Sequence, residues 1–178
     1  MKKGGKGGAN TNASGLAFEG KVSLSELLIK EGFCIRKTEH GDTLFDKNEK
    51  LIGVLLPKYE IYRYLFKKGI ILDREAKDVL SKRLLPDNAF FNFTNKVIYI
   101  IEVKFQGASG STDEKIQTCD YKRKRYVKLF GEHVQKVEFI YILSEWFERP
   151  EYKDTLGYIE EVGCHYYFKQ LPLESLGL

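Results

Sequence analysis

The chain has few of the residues that define several common classes of site. Its three cysteines lie far apart and form no metal-ligand cluster: Cys34, Cys119 and Cys164. We therefore expect free thiols, as in a reducing cytoplasm, and no zinc site. The three histidines are equally dispersed, without the spacing of a catalytic triad.

Long apolar runs are also missing. No stretch approaches the roughly 18 apolar residues that a membrane-spanning helix needs. The first eight residues are lysine- and glycine-rich, which does not fit a secretory signal. The remaining composition, 43% hydrophobic and 30% charged over 178 residues, is that of a globular protein with one core. We expect a cytoplasmic protein that does not enter a membrane, and we see no internal repeats.

The most informative feature is an apolar stretch that ends in charged residues. The β-branched run from Val97 to Ile101 predicts a strand buried on both faces, and Glu102-Val103-Lys104 continues it. Side chains alternate along a strand, so Glu102 and Lys104 share one face. Unpaired charges are costly to bury, and Asp87 precedes this strand by one hairpin. Two carboxylates with a lysine beside them can hold a hard divalent cation and orient a water.

Pro86-Asp87 followed by Glu102-Val103-Lys104 resembles the motif of the PD-(D/E)XK nuclease superfamily, which includes type II restriction endonucleases, junction resolvases and repair nucleases. The resemblance covers roughly residues 18–143. It implies an α/β fold (α+β by some schemes) with a restriction-endonuclease-like mixed β-sheet core flanked by helices. It also implies that Asp87, Glu102 and the Val103 carbonyl bind Mg²⁺, with Mn²⁺ as a substitute, and that Lys104 stabilises negative charge on the phosphate.

Each motif residue also has an ordinary interpretation. Pro-Asp is common in turns, an exposed strand glutamate is often only solvated, and a strand-end lysine can reach solvent. Glu19 is a further candidate, because many members of the superfamily bring a first-helix glutamate to the metal, although a solvated helix glutamate is the alternative. Gln106 and Gln117 are auxiliary candidates, since a glutamine lies near the active site in some related nucleases.

Two further regions have the composition of DNA-backbone contacts. Residues 1–14 form a Gly/Lys/Asn-rich arm ahead of a single domain at 15–178, and this arm is either a solubilising tail or a segment that orders on phosphates. The loop at 107–115 and the basic run at 122–125 follow the motif, and a solvated helix face is the alternative for the run. Our candidate DNA contacts are Lys3, Lys6, Asn10, Asn12, Ser109, Ser111, Lys115, Lys122, Arg123 and Arg125.

Periodicity and turn residues predict an alternation of helices and strands. The predicted helices lie at 16–32, 59–68, 73–80 and 112–130, with helix or irregular structure at 146–162. The predicted strands are a hairpin at 33–45 and strands at 50–56, 89–93, 97–106, 137–143 and 164–168. The strand–helix–strand unit between 97 and 143 predicts a right-handed crossover joining two parallel strands, hence a mixed sheet.

Together these features predict a Mg²⁺-dependent DNA endonuclease. The leading hypothesis is a type II restriction enzyme that cuts a short site in double-stranded DNA as a homodimer, without a nucleotide cofactor. One alternative is a structure-specific nuclease of the same fold, such as a junction resolvase or repair nickase. The other is a non-catalytic DNA-binding protein, against which the intact Asp87, Glu102 and Lys104 argue.

Overall fold

A computed structural model describes residues 23–39, 41–71, 79–107 and 112–178. Within these residues, seven strands form one sheet, in which the order of the strands follows their order along the chain. The strands are β1 (Cys34–Thr38), β2 (Gly41–Phe45), β3 (Leu51–Leu55), β4 (Asn88–Asn92), β5 (Val97–Lys104), β6 (Lys136–Leu143) and β7 (His165–Phe168).

Helices flank this sheet. The α-helices are α1 (Leu24–Lys30), α2 (Glu60–Lys67), α3 (Thr112–Ile116), α4 (Cys119–Phe130) and α5 (Lys153–Glu161). Short 3₁₀ turns occur at Gly131–His133, Glu145–Glu148, Pro150–Tyr152 and Leu173–Leu176. At the start of α1, the Ser23 hydroxyl accepts a hydrogen bond from the Glu26 N–H at 3.4 Å and caps the helix.

The pairing between neighbouring strands changes once across the sheet, from antiparallel to parallel. Strands β1 to β5 are antiparallel to their neighbours, whereas β5, β6 and β7 are parallel. The predicted parallel pairing of β5 with β6 is confirmed, and α3 and α4 lie in the connection between them. The protein therefore has a mixed α/β architecture with a mixed sheet flanked by helices, as predicted.

Both faces of β5 are covered. Ile98 and Ile100 pack in a cluster that includes residues of α2, α4 and α5, which we call the α4 face. Tyr99, Ile101 and Val103 pack in a second cluster with residues of α1 and the C-terminal turn, which we call the α1 face. This two-sided burial is the reason for the continuous apolar run in the sequence.

Two predicted boundaries are wrong. The helix predicted at 112–130 is two helices, because the Thr118 hydroxyl donates a hydrogen bond to the Lys115 carbonyl at 2.7 Å and the chain turns at residues 117–118. Strand β5 ends at Lys104 rather than at residue 106, because the Gln106 N–H donates to the Ser144 hydroxyl at 3.1 Å instead of to a neighbouring strand.

Some predicted elements lie outside the described residues. These are the start of the first helix, at 16–22, and most of the helix predicted at 73–80. Within the described ranges, no helix combines the length and apolar character needed to cross a membrane.

Candidate active site

The hairpin of β4 and β5 brings the two acids of the motif together. The register pairs Asn88 with Ile101, so the next position places Asp87 opposite Glu102. Residues that face each other across an antiparallel pair project on the same side of the sheet. The Val103 N–H donates a hydrogen bond to Asp87 Oδ2 at 2.9 Å. This bond continues the pairing of β4 with β5 beyond Asn88 and Ile101, with a side chain as the acceptor. It holds the Asp87 carboxylate at the open end of the hairpin.

Lys104 lies between the two acids. Its Nζ is 2.9 Å from Glu102 Oε2 and 3.4 Å from Asp87 Oδ2. It also donates a hydrogen bond to the Val103 carbonyl at 3.1 Å. The exposed fractions of the Asp87, Glu102 and Lys104 side chains are 26%, 9% and 18%, so the cluster is largely buried but open on one side. Sequence analysis predicted that these residues converge, and the structure brings them together.

A fourth charged residue, Lys122 of α4, completes the cluster. Its Nζ is 2.7 Å from Glu102 Oε2, and its side chain is 20% exposed. The ammonium also lies 5.9 Å from the ring centroid of Phe139 and 6.0 Å from that of Tyr141. The basic run in the sequence predicts a DNA-backbone contact for Lys122, whereas its contact with Glu102 was not predicted.

The sequence did contain a signal for the placement of Lys122. The buried residues of α4 include Cys119, Tyr126 and Leu129, which recur at helical spacing. Lys122 falls three residues after Cys119 and four before Tyr126, so it lies on this apolar stripe rather than on the solvated face. When an apolar helix stripe packs against a strand that ends in an acid, a lysine on that stripe is expected to contact the acid.

Burial and charge act in opposite directions on the two central residues. Burial alone would raise the pKa of Glu102, but the charges of Lys104 and Lys122 outweigh it and lower that pKa below the ordinary value. Burial alone would lower the pKa of Lys104, and the charges of Glu102 and Asp87 outweigh it and raise that pKa. Both groups are therefore ionised at neutral pH.

Tyr126 buries a hydroxyl beside this cluster. The side chain is fully buried, and the hydroxyl has no hydrogen-bond partner among the described residues. Burial, and then the negative charge of Glu102, raises the pKa of Tyr126 well above its ordinary value. The hydroxyl is therefore a neutral donor. Sequence analysis did not single it out, although its position one turn after Lys122 is a signal of the same kind.

Helix α2 anchors the segment that carries Asp87. The Tyr62 hydroxyl accepts a hydrogen bond from the Leu84 N–H at 3.0 Å and donates one to the Leu84 carbonyl at 3.1 Å. The Lys58 N–H donates to the Pro86 carbonyl at 3.0 Å. These contacts hold the irregular residues before Asp87 in place, although they are not part of a strand.

The other arginines and lysines of the basic run point elsewhere. Arg123 donates to the Val162 carbonyl at 3.0 Å, and the ammonium of Lys124 is 2.7 Å from Asp120 Oδ2. Arg125 donates to the Tyr121 hydroxyl at 3.1 Å and to the Lys82 carbonyl. The four consecutive basic residues therefore do not form one surface, as helical geometry requires.

The remaining candidates lie near the motif in sequence or outside the described residues. Gln106 is buried two residues after Lys104, Gln117 is exposed at the break between α3 and α4, and Lys115 is exposed near the end of α3. The other predicted contacts fall outside the described residues: Lys3, Lys6, Asn10, Asn12, Glu19, Ser109 and Ser111.

The donor set at this site fits a hydrated magnesium ion. Among the described residues, no group of three or more His, Cys, Asp or Glu side chains could hold a metal. The cluster offers two carboxylates and the Val103 carbonyl. Mg²⁺ commonly binds through one or two carboxylates and completes its shell with water and substrate phosphate. The lysine contacts engage Oδ2 of Asp87 and Oε2 of Glu102, so each carboxylate has a second oxygen outside those contacts.

Comparisons with known proteins do not provide a family for the chain. No family model, no curated protein and no solved structure matches it. The resemblance to the PD-(D/E)XK nucleases therefore rests on the motif residues and on their placement directly before β4 and at the carboxyl end of β5.

Proposed function

We propose that this protein is a Mg²⁺-dependent DNA endonuclease that hydrolyses phosphodiester bonds. The observation that supports the proposal most strongly is the cluster of Asp87, Glu102 and Lys104, in which the lysine Nζ is within 3.4 Å of an oxygen of each acid. Two ionised carboxylates and an adjacent ammonium match the needs of phosphodiester hydrolysis, which requires a bound cation and positive charge beside the phosphate.

Each residue of the cluster has a distinct part in this proposal. Asp87 and Glu102 would hold the ion through carboxylate oxygens, and the Val103 carbonyl would be a third ligand. When bound, Mg²⁺ acidifies a coordinated water and neutralises charge on the phosphate. Lys104 holds its ammonium beside the attacked phosphate and stabilises the negative charge that develops on the phosphate oxygens. The water oxygen forms a bond to phosphorus while the bond from phosphorus to the leaving sugar oxygen breaks. The attacking water gives up a proton to the solvent, and the leaving oxygen takes one from the solvent.

The proposed biological form is a type II restriction enzyme. The described residues of one chain form one such site, so we expect that cutting both strands of a duplex requires two copies. A two-fold homodimer then matches a palindromic target. A structure-specific nuclease would use the same chemistry on branched or nicked DNA, and the choice between the two depends on the substrate.

The test is cleavage by the purified protein. We expect it to convert supercoiled plasmid to discrete linear fragments with Mg²⁺ or Mn²⁺ and not with EDTA, and sequencing of the ends should reveal one short palindromic site. Preferential cleavage of a synthetic four-way junction or nicked duplex would support the structure-specific alternative. If intact plasmid, junction and nicked duplex all survive with either ion, the nuclease proposal is wrong and a DNA-binding role remains.

A further inference from the structure

Lys122 and Lys104 both contact one carboxylate oxygen, Glu102 Oε2, at 2.7 Å and 2.9 Å. Lys122 reaches this oxygen from α4, which packs over the sheet, whereas Lys104 comes from β5 itself. Two ammonium groups on one oxygen repel each other, so this arrangement needs the negative charge of both acids. The carboxylate that carries this oxygen is also a proposed ligand of the metal ion.

The charges in this cluster sum to zero. Asp87 and Glu102 contribute two negative charges, and Lys104 and Lys122 contribute two positive charges. A divalent ion added to this cluster would leave two uncompensated positive charges in a largely buried place, which is costly. Charge balance then requires that a lysine leave the acids or that an anion arrive. A phosphate of DNA can do both, because it is itself an anion and can pair with the ammonium of a lysine that leaves.

Lys122 is the lysine that can leave. Lys104 is held by three contacts, to Glu102, Asp87 and the Val103 carbonyl. Among the described residues, Lys122 has one ion pair, to Glu102, and two longer contacts, at 5.9 Å and 6.0 Å, to the ring centroids of Phe139 and Tyr141. It reaches the acid from a helix on a flexible side chain. One turn further along α4, the Tyr126 hydroxyl is buried without a partner among these residues. A hydroxyl there can donate to a water or oxygen ligand that arrives with the ion.

We propose that Lys122 is a gate for the metal site, an inference that rests on the proposed nuclease function. In the DNA-free protein its ammonium occupies Glu102 Oε2 and opposes binding of a divalent ion. When DNA enters, the ammonium moves to a backbone phosphate and Glu102 becomes available to the ion. Binding of the ion and binding of DNA are thereby coupled, and each strengthens the other by the same factor.

The test measures Mn²⁺ binding directly, by electron paramagnetic resonance of free Mn²⁺, and does not depend on cleavage. We expect Lys122→Met to bind Mn²⁺ at least about tenfold more tightly than the wild type without DNA, which is the factor for about 1.4 kcal/mol. Lys124→Met removes the same charge from the same helix, but Lys124 pairs with Asp120. We expect that control to remain within about twofold of the wild type, because an exposed charge is screened by solvent.

A second arm uses a short DNA duplex of arbitrary sequence. Adding it should strengthen Mn²⁺ binding by the wild type, and this gain should shrink in Lys122→Met, whose gate is already open. Lys122→Gln provides the same measurement if the methionine variant misfolds, with folding checked by circular dichroism. Glu102→Gln should abolish the bound Mn²⁺ in every background, which assigns the binding to this site.

The outcomes separate this inference from the proposed function. Equal Mn²⁺ affinity in wild type, Lys122→Met and Lys122→Gln, lost in Glu102→Gln, would overturn the gate and leave the metal site intact. Equal tightening in Lys122→Met and Lys124→Met would also overturn it, because the effect would then be net charge alone. Absence of Mn²⁺ binding in all variants would overturn both proposals. A gated site in a protein that cleaves no DNA would overturn the nuclease proposal alone.

Discussion

Glu102 and Glu138 lie on the neighbouring parallel strands β5 and β6, yet their surroundings differ. Glu102 is near the carboxyl end of β5 and contacts two lysines whose side chains are 18% and 20% exposed. Glu138 is near the start of β6, where it pairs with Lys136 at 2.5 Å and His165 at 3.3 Å. Those two partners are 61% and 48% exposed.

This difference shows what distinguishes a candidate site from an ordinary ion pair. Both glutamates are largely shielded, but only the Glu102 cluster includes a second carboxylate and takes its members from three places, the end of the hairpin, β5 and α4. The Glu138 contacts come from the neighbouring position on its own strand face and from β7, and they remain open to solvent. Exposed pairs contribute little to stability, whereas shielded charges depend strongly on their partners.

The largest expected effect is on the rate of DNA cleavage. The test compares Lys104, a partner of Glu102, with Lys136, a partner of Glu138. We expect Lys104→Ala to lose at least about a thousandfold in the single-turnover rate of plasmid cleavage, because the ammonium beside the phosphate is gone. Lys136→Ala, which removes the partner of Glu138, should cleave at the wild-type rate. DNA binding without Mg²⁺, measured by gel shift, should be largely retained in both variants. Normal cleavage by Lys104→Ala would show that the cluster is not catalytic.

The next effect is on stability. Glu102→Gln leaves Lys104 and Lys122 without the charge that they share, and we expect a loss of roughly 2 to 3 kcal/mol in the free energy of unfolding, below the full cost of breaking a deeply buried pair. Glu138→Gln should cost less than about 1 kcal/mol, because its partners are exposed. Urea unfolding at neutral pH measures both. Equal losses would mean that burial of the partners does not separate the two glutamates.

The pH dependence of stability sharpens the same contrast. The pKa of Glu102 is lower in the folded protein than its ordinary value of 4.5, so its contribution is complete above that value and is lost as the pH falls through the folded pKa. The pKa of Lys104 is raised above 10.5, so its contribution is present below that value and is lost as the pH rises through the folded pKa. Glu102→Gln should therefore show a shallower loss of stability than wild type as the pH falls below 4.5. An unchanged acid limb in urea unfolding would contradict this.

The smallest expected effect tests whether the Tyr126 hydroxyl, near Glu102, has a hydrogen-bond partner. The Tyr126 hydroxyl has no partner among the described residues, so Tyr126→Phe should change the free energy of unfolding by no more than about 0.5 kcal/mol. Tyr62→Phe removes a hydroxyl with two hydrogen bonds to Leu84 and should cost about 1 to 2 kcal/mol. Thermal or urea unfolding distinguishes them. A loss as large in Tyr126→Phe as in Tyr62→Phe would reveal a partner for the first hydroxyl.

The sequence predicted the features that follow from local periodicity. Alternation along a strand placed Glu102 and Lys104 on one face, and one hairpin was enough to predict their meeting with Asp87. The parallel pairing of β5 and β6 followed from the intervening helical segment. These inferences involve neighbouring elements, for which spacing along the chain determines the geometry.

Inferences that required tertiary packing were less successful. The contact between Lys122 and Glu102 depends on how α4 packs on the sheet, and the cluster of basic residues in the sequence obscured the apolar stripe that Lys122 shares. The break before α4 depends on the hydrogen bond from the Thr118 hydroxyl to the Lys115 carbonyl. Hydrophobic periodicity contains no information on which carbonyl a side-chain hydroxyl contacts. The roles proposed for Glu19 and for the N-terminal arm remain predictions.

The Tyr62 contacts have a consequence for protein engineering. Asp87 belongs to no regular element, and the residues before it take their position from the hydroxyl of a distant helix. A designer who transplanted only the three motif side chains onto a different sheet would copy their functional groups but would not hold the Asp87 carboxylate in its position. The portable unit would be larger than the motif and would include Tyr62 of α2, which has no assigned part in the proposed reaction.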